Sequence, residues 1–196
     1  MAISAKQFEE LQKRISGPRK AVPIQAPARR FDTVIGIDPS LRGTGYGIIR
    51  VAKPTPIFVA QGTIACPQGW QRSRCLAHIT RTLRDVLKAH QPQVCVVEGL
   101  FYAQNFQTAL IMGEARGASL ATIADAGLEI YEIAARKVKQ AVVGYGAAQK
   151  LAVARMVQRM LGLAKPPEPD AADALALAIA FAHEAGRPWL GGPKKI

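Results

Sequence analysis

Residues 33–50, with the sequence TVIGIDPSLRGTGYGIIR, decide the fold of this chain. The segment opens with Thr33–Ile37, a short β-branched run that predicts a buried strand. Gly43 and Gly45 follow, and we expect them to permit a tight turn after which Tyr46–Val51 returns as a second strand. The stretch therefore predicts a pair of neighbouring strands at the start of the folded domain.

The pattern beyond this stretch predicts an α/β domain. Further strands are expected at Ile57–Ile64, Val94–Val97 and Leu128–Ile133. The spacing of apolar residues predicts helices over 70–90, 106–126, 147–161 and 170–185. Three strands in a meander, followed by alternating helices and strands, are typical of a mixed five-stranded sheet with helices packed on both faces.

The folded domain is predicted to span 31–186. Residues 1–30 hold seven Lys or Arg against two acidic residues and predict a basic, flexible N-terminal arm. Residues 187–196 predict a basic C-terminal tail. The chain has no apolar run of 18 residues and no signal-peptide core, so we expect neither a membrane span nor export. Three cysteines without metal-ligand spacing favour a reducing cytoplasm.

The net charge points to a polyanionic partner. The chain carries 26 Lys and Arg against 14 Asp and Glu, which gives +12 over 196 residues. So large an excess on one domain is typical of nucleic-acid binding. An anionic membrane surface and an acidic protein are the other partners that this charge allows.

Four acidic side chains occupy positions that favour catalysis. Asp38 and Glu98 each directly follow a predicted central strand, and ligands of open α/β sheets bind at the carboxyl ends of the strands. Asp170 and Asp173 lie three residues apart at the start of the last helix, so both project from one face. Each has a plainer explanation when taken singly, such as a helix cap for Asp170. Together, in a chain poor in acids, they predict one cluster.

Such a cluster predicts a metal-dependent nuclease. Several carboxylates in one cleft need a counter-charge, which a divalent cation supplies. Ligation by oxygen alone favours Mg²⁺ or Mn²⁺ over zinc. Two such ions about 4 Å apart hold an attacking water and a leaving oxygen in line across a phosphodiester.

Basic and aromatic side chains near the cluster are candidates for DNA contact. Lys139 and Lys150 flank a Gly-containing segment, 142–146, that is expected to leave both amines near the sheet edge, where they would contact phosphates. Phe101 lies just past Glu98, where an exposed aromatic could stack on an unpaired base. A solvated lysine and a core aromatic are the plainer interpretations.

Four stretches of the sequence resemble the RuvC family of Holliday-junction resolvases. They are Gly36-Ile-Asp-Pro-Ser40 with Gly43-Thr-Gly-Tyr-Gly47, Val97-Glu-Gly-Leu-Phe101, Val138-Lys-Gln-Ala-Val-Val-Gly144 and Asp170-Ala-Ala-Asp-Ala-Leu-Ala176. The resemblance covers about residues 31–185, in the family's order and spacing. It implies a ribonuclease-H-like fold and a homodimer that binds a four-way DNA junction and nicks two strands of like polarity symmetrically.

The resemblance also implies roles for single residues. It assigns catalysis and the binding of Mg²⁺, with two ions expected, to Asp38, Glu98, Asp170 and Asp173. It assigns base contact at the opened crossover to Phe101 and a requirement in activity to Lys139 and Lys150. The partners it implies are the RuvA junction-binding protein and the RuvB helicase motor. Two features depart from the family: the arm 1–30 has no counterpart, and some members carry His at the position of Asp170.

Other classes of protein share parts of this pattern. Asp38 followed by Gly43–Gly47 also resembles the phosphate loop of actin-like kinases, but nucleotide binding leaves the charge of +12 unexplained. A catalytically silent or differently specialised branched-DNA-binding protein is the main alternative, and a basic structural protein is a third. Gly113 and Gly117, four residues apart on one predicted helix, mark a candidate dimer interface, and packing of that helix on the sheet explains small residues there equally well.

Overall fold

The computed structural model describes residues 31–99, 106–184 and 193–196 of the chain. Within these ranges it has six strands: β1 (Thr33–Asp38), β2 (Gly43–Arg50), β3 (Ile57–Ala65), β4 (Val94–Glu98), β5 (Glu129–Ile133) and β6 (Lys194–Lys195). It has five helices: α1 (Arg72–His90), α2 (Phe106–Asp125), α3 (Ala135–Val143), α4 (Lys150–Met160) and α5 (Pro169–Glu184). The predicted arm 1–30, Phe101 and residues 185–192 lie outside the described residues.

One mixed sheet with strand order β3-β2-β1-β4-β5-β6 organises the domain. The strands β1, β4 and β5 are parallel, whereas β2, β3 and β6 pair antiparallel with their neighbours. The predicted α/β sheet is therefore confirmed, with one strand more than the five expected. The added strand β6 comes from the predicted tail. Its two lysines carry no apolar or β-branched signal, so the pattern could not indicate it.

Four of the five described helices were predicted from the sequence, and α3 was not. The bounds of the other four lie within three residues of those predicted. Helix α3 buries Val138 and Val142, one turn apart, and ends at Val143, where Gly144 caps it with a φ of 81°. None of the helices in the described part of the chain is long and apolar enough to cross a membrane.

Alternation along the buried strands builds a core on each face of the sheet. On one face, Val34 and Val96 pack in the same cluster as Leu175 and other residues of α3, α4 and α5. On the other face, Ile35 and Val97 pack with residues of α1 and α2. Because successive side chains of a strand point to opposite faces, short apolar strands suffice to anchor helices on both sides.

Glycines in the strands bring α5 against the sheet backbone. A Cβ on Gly36 would overlap the carbonyl oxygen of Ala174, and one on Gly45 would overlap that of Asp170. The expected tight turn at Gly43 and Gly45 is wrong, since both lie within β2 and the chain reverses over 39–42. These glycines serve helix packing, which fixes the first turn of α5 beside the carboxyl end of β1.

Candidate active site

Two of the predicted carboxylates meet at the carboxyl edge of the sheet. Asp38 is the last residue of β1 and Glu98 the last of β4, and these parallel strands are paired through Ile37 and Val97. Both carboxylates are partly buried. The sheet register therefore sets Asp38 and Glu98 side by side, as expected from their positions after the two strands.

The first turn of α5 brings the other two carboxylates to the same edge. A Cβ built on Gly43, at the start of β2, would contact the carboxylate of Asp170. Asp173 follows three residues later and projects from the same helix face. The close approach of α5 to β1 and β2 thus joins helix carboxylates to strand carboxylates.

The electrostatics show that the four carboxylates act on one another. Burial raises the pKa of Asp38 to about 7, and the charges of Asp173, Glu98 and Asp170 add to the rise. Burial and the charge of Asp173 also raise the pKa of Glu98. Burial, with the charge of Asp173, raises the pKa of Asp170. Like charges with overlapping fields in a partly dry cleft form a single electrostatic unit.

Both predicted lysines act on this unit. The Nζ of Lys150, at the first residue of α4, donates a hydrogen bond of 2.8 Å to Asp173 Oδ2. This hydrogen bond raises the pKa of Lys150. The charges of Lys150 and Lys139 both lower the pKa of Glu98. The structure therefore brings Lys139 and Lys150 to the carboxylates, while the predicted contact of Phe101 stays a prediction.

The donor set of the site fits a hard divalent cation. All four acids offer carboxylate oxygens, and their mutual repulsion is what a bound cation relieves. Within the described ranges, no group of three or more His, Cys, Asp or Glu side chains is arranged to hold a metal ion as it stands. Lys150 supplies the counter-charge to Asp173 in this arrangement. The carboxylates of Asp38, Glu98, Asp170 and Asp173 therefore match the donor chemistry that a magnesium ion prefers.

Arg116 contacts the site from behind, and the sequence analysis did not predict it. From α2, its Nη1 donates to the backbone oxygen of Glu98 and its Nη2 donates to Glu132 Oε2, each at 2.6 Å. Its side chain is only 8% exposed. Its charge also lowers the pKa of Glu98. The sequence marks this arginine only by its small neighbours, in Gly113-Glu-Ala-Arg-Gly117. Its two partners lie 16 and 18 residues away, so no local pattern predicts the contacts.

Comparison with known proteins finds similar sequences in one family. The family model of RuvC, described as crossover junction endodeoxyribonuclease RuvC, matches residues 34–183. The protein of that name from Acinetobacter baumannii is 46% identical over 153 residues, covering 78% of this chain and 84% of its own. The one from Bordetella parapertussis is 44% identical over 150 residues, covering 76% and 82%.

A solved structure shows the same fold. The structure of T. thermophilus RuvC in complex with Holliday junction substrate superposes on this chain with a TM-score of 0.76 at 31% identity. The match covers 84% of this chain and 99% of that one. The fold is therefore the ribonuclease-H-like fold expected from the sequence. With a family model that spans most of its length, the chain belongs to the RuvC family of crossover junction endodeoxyribonucleases.

Proposed function

We propose that this chain is a structure-selective endonuclease that resolves four-way DNA junctions during recombination and DNA repair. The observation that carries the proposal is the meeting of Asp38, Glu98, Asp170 and Asp173 at one sheet edge beside two lysines. The family's description and the Holliday junction substrate in complex with T. thermophilus RuvC support it. The excess of positive charge matches a polyanionic substrate.

The four carboxylates are the proposed metal ligands, and Mg²⁺ is the proposed cofactor, with Mn²⁺ able to replace it and two ions in each site. Such cations, when bound, activate water and neutralise charge on the phosphodiester. Asp38 and Glu98 come from the ends of two strands and Asp170 and Asp173 from one helix, so the proposed ligands lie on three elements of regular secondary structure.

The lysines have a different proposed role. The charges of Lys150 and Lys139 both act on the carboxylates, and we propose that the two lysines bind the phosphate that is cut. Lysine binds phosphate as a point charge, so these contacts give affinity without reading the sequence. Phe101 is proposed to contact bases at the opened crossover, as the family resemblance implies.

We also propose a homodimer formed through α2. Its exposed face carries Phe106 and Leu110, which are 82% and 51% exposed, followed on the same stripe by Gly113 and Gly117. Among the described residues, a Cβ at either glycine would meet nothing within 4 Å, so packing on the described sheet does not explain them. A two-fold dimer places one active site on each of the two equivalent strands of a junction.

Gly117→Gln tests the dimer. A Cβ at Gly117 meets no described atom within 4 Å in one protomer, so the variant domain should fold. The longer side chain should, however, block the close approach of a second α2 helix. Light scattering should give twice the chain mass for the wild type and a lower mass for the variant. Ala77→Gln, on the exposed face of α1, is the control that should stay dimeric. A monomeric wild type would overturn this interface.

By family resemblance we further propose that RuvA and RuvB are partners and that the protein acts in the cytoplasm. Pull-down of this chain on a tethered junction, with and without purified RuvA and RuvB, tests the partnership. Retention of this chain that does not change when RuvA and RuvB are added would contradict it.

A gel assay on a synthetic four-way junction tests the function itself. The wild type should make paired symmetric nicks in the junction with Mg²⁺, none in chelator, and none in a matched linear duplex. Mn²⁺ should substitute. Tight junction binding without cutting in either metal would instead favour the catalytically silent branched-DNA-binding protein.

A further inference from the structure

The loop after α3 encloses a groove beside the active site. Gly144 ends α3 in the left-handed conformation and turns the chain back. A Cβ on Gly146 would lie 2.7 Å from Cγ of Arg136 and 3.2 Å from its backbone oxygen, so this loop packs along the first turn of α3. Between loop and helix lies a groove of about 580 Å³, whose walls include Arg136, Lys139 and Tyr145.

Tyr145 is one of two aromatic residues in the described ranges that are more than half exposed, the other being Phe106 on α2. The side chain of Tyr145 belongs to neither hydrophobic core and the residue is 65% exposed. A single exposed apolar side chain is common and means little on its own. Here the ring lies in a groove with two cationic side chains, a combination suited to a ligand that has both an aromatic face and negative charge.

The groove opens next to the carboxylates. Strand β5 ends at Ile133, which pairs with Glu98, so α3 begins at the catalytic edge of the sheet. Lys139 lines the groove and its charge reaches Glu98. When one phosphate of a DNA strand lies at the carboxylates, the nucleotide next to that phosphate would therefore lie in this groove.

We propose that the groove is a nucleotide subsite in which Tyr145 stacks on the base of a nucleotide flanking the cut phosphate and Arg136 binds its phosphate. The proposal rests on the junction-cutting function proposed above and adds a base contact to it. Stacking needs an unpaired or opened base, because a base within a duplex is covered on both sides. Tyr145 would therefore favour junctions whose strands open near the crossover.

Binding to junctions with single abasic sites tests the subsite. The nick made by the wild type in Mg²⁺ locates the cut phosphate, and abasic junctions are then made at two positions on each side of it. Affinities are measured in chelator for the wild type, Tyr145→Ala and Tyr145→Phe. At one position, loss of the base should weaken wild-type and Tyr145→Phe binding by roughly 5- to 100-fold.

The same abasic site should cost Tyr145→Ala less than about 2-fold, since its stacking partner is already gone. Tyr145→Ala should also bind the intact junction more weakly than the wild type. Ile57→Ala, which truncates an exposed apolar residue at the start of β3, should behave as the wild type.

If each abasic site weakens binding by the same factor in Tyr145→Ala and in the wild type, the subsite is overturned. Normal cutting by the wild type would then still support the junction-cutting function. A wild type that neither binds nor cuts junctions would overturn both. The two failures are therefore distinguishable.

Discussion

The two pairs of carboxylates reach the active site by different routes. Asp38 and Glu98 are placed by strand register, and burial is the largest cause of their raised pKa values. Asp170 and Asp173 are placed by the packing of α5 on glycines of the sheet, and Asp173 is tied to an exposed lysine. The strand pair is thus set by main-chain pairing, whereas the helix pair depends on tertiary contacts.

This difference shows where the site can be disturbed. The strand pair is supported from behind by Arg116, which binds the backbone of Glu98 from the opposite layer of helices. The helix pair is held by the close seat of α5 and by Lys150. Each support can be removed separately by a single substitution, and the loss of stability should be largest for the most deeply buried support.

Arg116→Met removes the support of the strand pair and should have the largest effect. It leaves the Glu98 carbonyl and the Glu132 carboxylate without their buried donor, at a cost of about 3 kcal/mol in the free energy of unfolding. Cutting should fall as well, because Glu98 is no longer fixed. Urea denaturation measures the loss, with Arg155→Met, an exposed arginine on α4, as control. A variant as stable as the control would show that Arg116 does not hold Glu98.

Gly45→Val disturbs the packing of α5 on the sheet, which positions Asp170 and Asp173. The new side chain would overlap the carbonyl oxygen of Asp170, so α5 must move away, at a cost of about 1–3 kcal/mol. Cutting of a junction should drop by about 10²-fold or more, because Asp170 and Asp173 leave the strand carboxylates. Gly69→Val, at a glycine with open space around it, should cut normally. Normal cutting by Gly45→Val would contradict the tight seat of α5.

Lys150→Met separates the electrostatic role of the lysine from stability. Its ion pair with Asp173 is largely exposed and should contribute at most about 1 kcal/mol to folding. Cutting should nevertheless fall by about 10- to 100-fold, since a phosphate contact beside the carboxylates is lost. Lys88→Met, on α1, serves as the matched control in single-turnover assays. An equal, small loss in both variants would place Lys150 outside the reaction.

The free energy of unfolding of the metal-free protein should fall as pH rises from the ordinary pKa of Asp38 to its raised value in the fold. Asp38 has a pKa of about 7 in the fold and 3.8 as its ordinary value. Between these values the folded protein keeps a proton that the unfolded chain has released, so the free energy of unfolding decreases with pH. In chelator, Tm should drop by a few degrees from about pH 5 to about pH 8. The drop should be smaller in Asp38→Asn, and Mg²⁺ should restore the wild-type Tm at the higher pH. Equal slopes in both proteins would contradict the burial of Asp38.

The same contrast explains what the sequence could predict. Asp38 and Glu98 follow apolar runs, so strand prediction alone places them at one edge. Asp170 and Asp173 show helical spacing, which predicts a shared face. Gly36 and Gly45 join the two pairs through contacts with a helix far away along the chain. The local pattern gives no sign of these contacts, and at Gly45 it predicts a turn instead.

Helix α3 and the contacts of Arg116 were not predicted from the sequence, for similar physical reasons. Helix α3 is short and rich in Lys and Arg, so its one buried pair, Val138 and Val142, is a weak periodic signal. The contacts of Arg116 depend on α2 crossing behind β4 and β5, which no spacing along the chain reveals. Local chemistry was predictable, whereas the supports of the site required the tertiary structure.

The central claim is that strand carboxylates and helix carboxylates form one catalytic unit. The most direct measurement is single-turnover cutting of a four-way junction by Asp38→Asn, Asp173→Asn and the double variant, with junction binding measured in chelator. Each single variant should lose about 10³-fold or more in cutting while still binding, and the double variant should lose little more, because residues that act as a unit are not additive. An Asp173→Asn variant that cuts at nearly the wild-type rate would contradict the account.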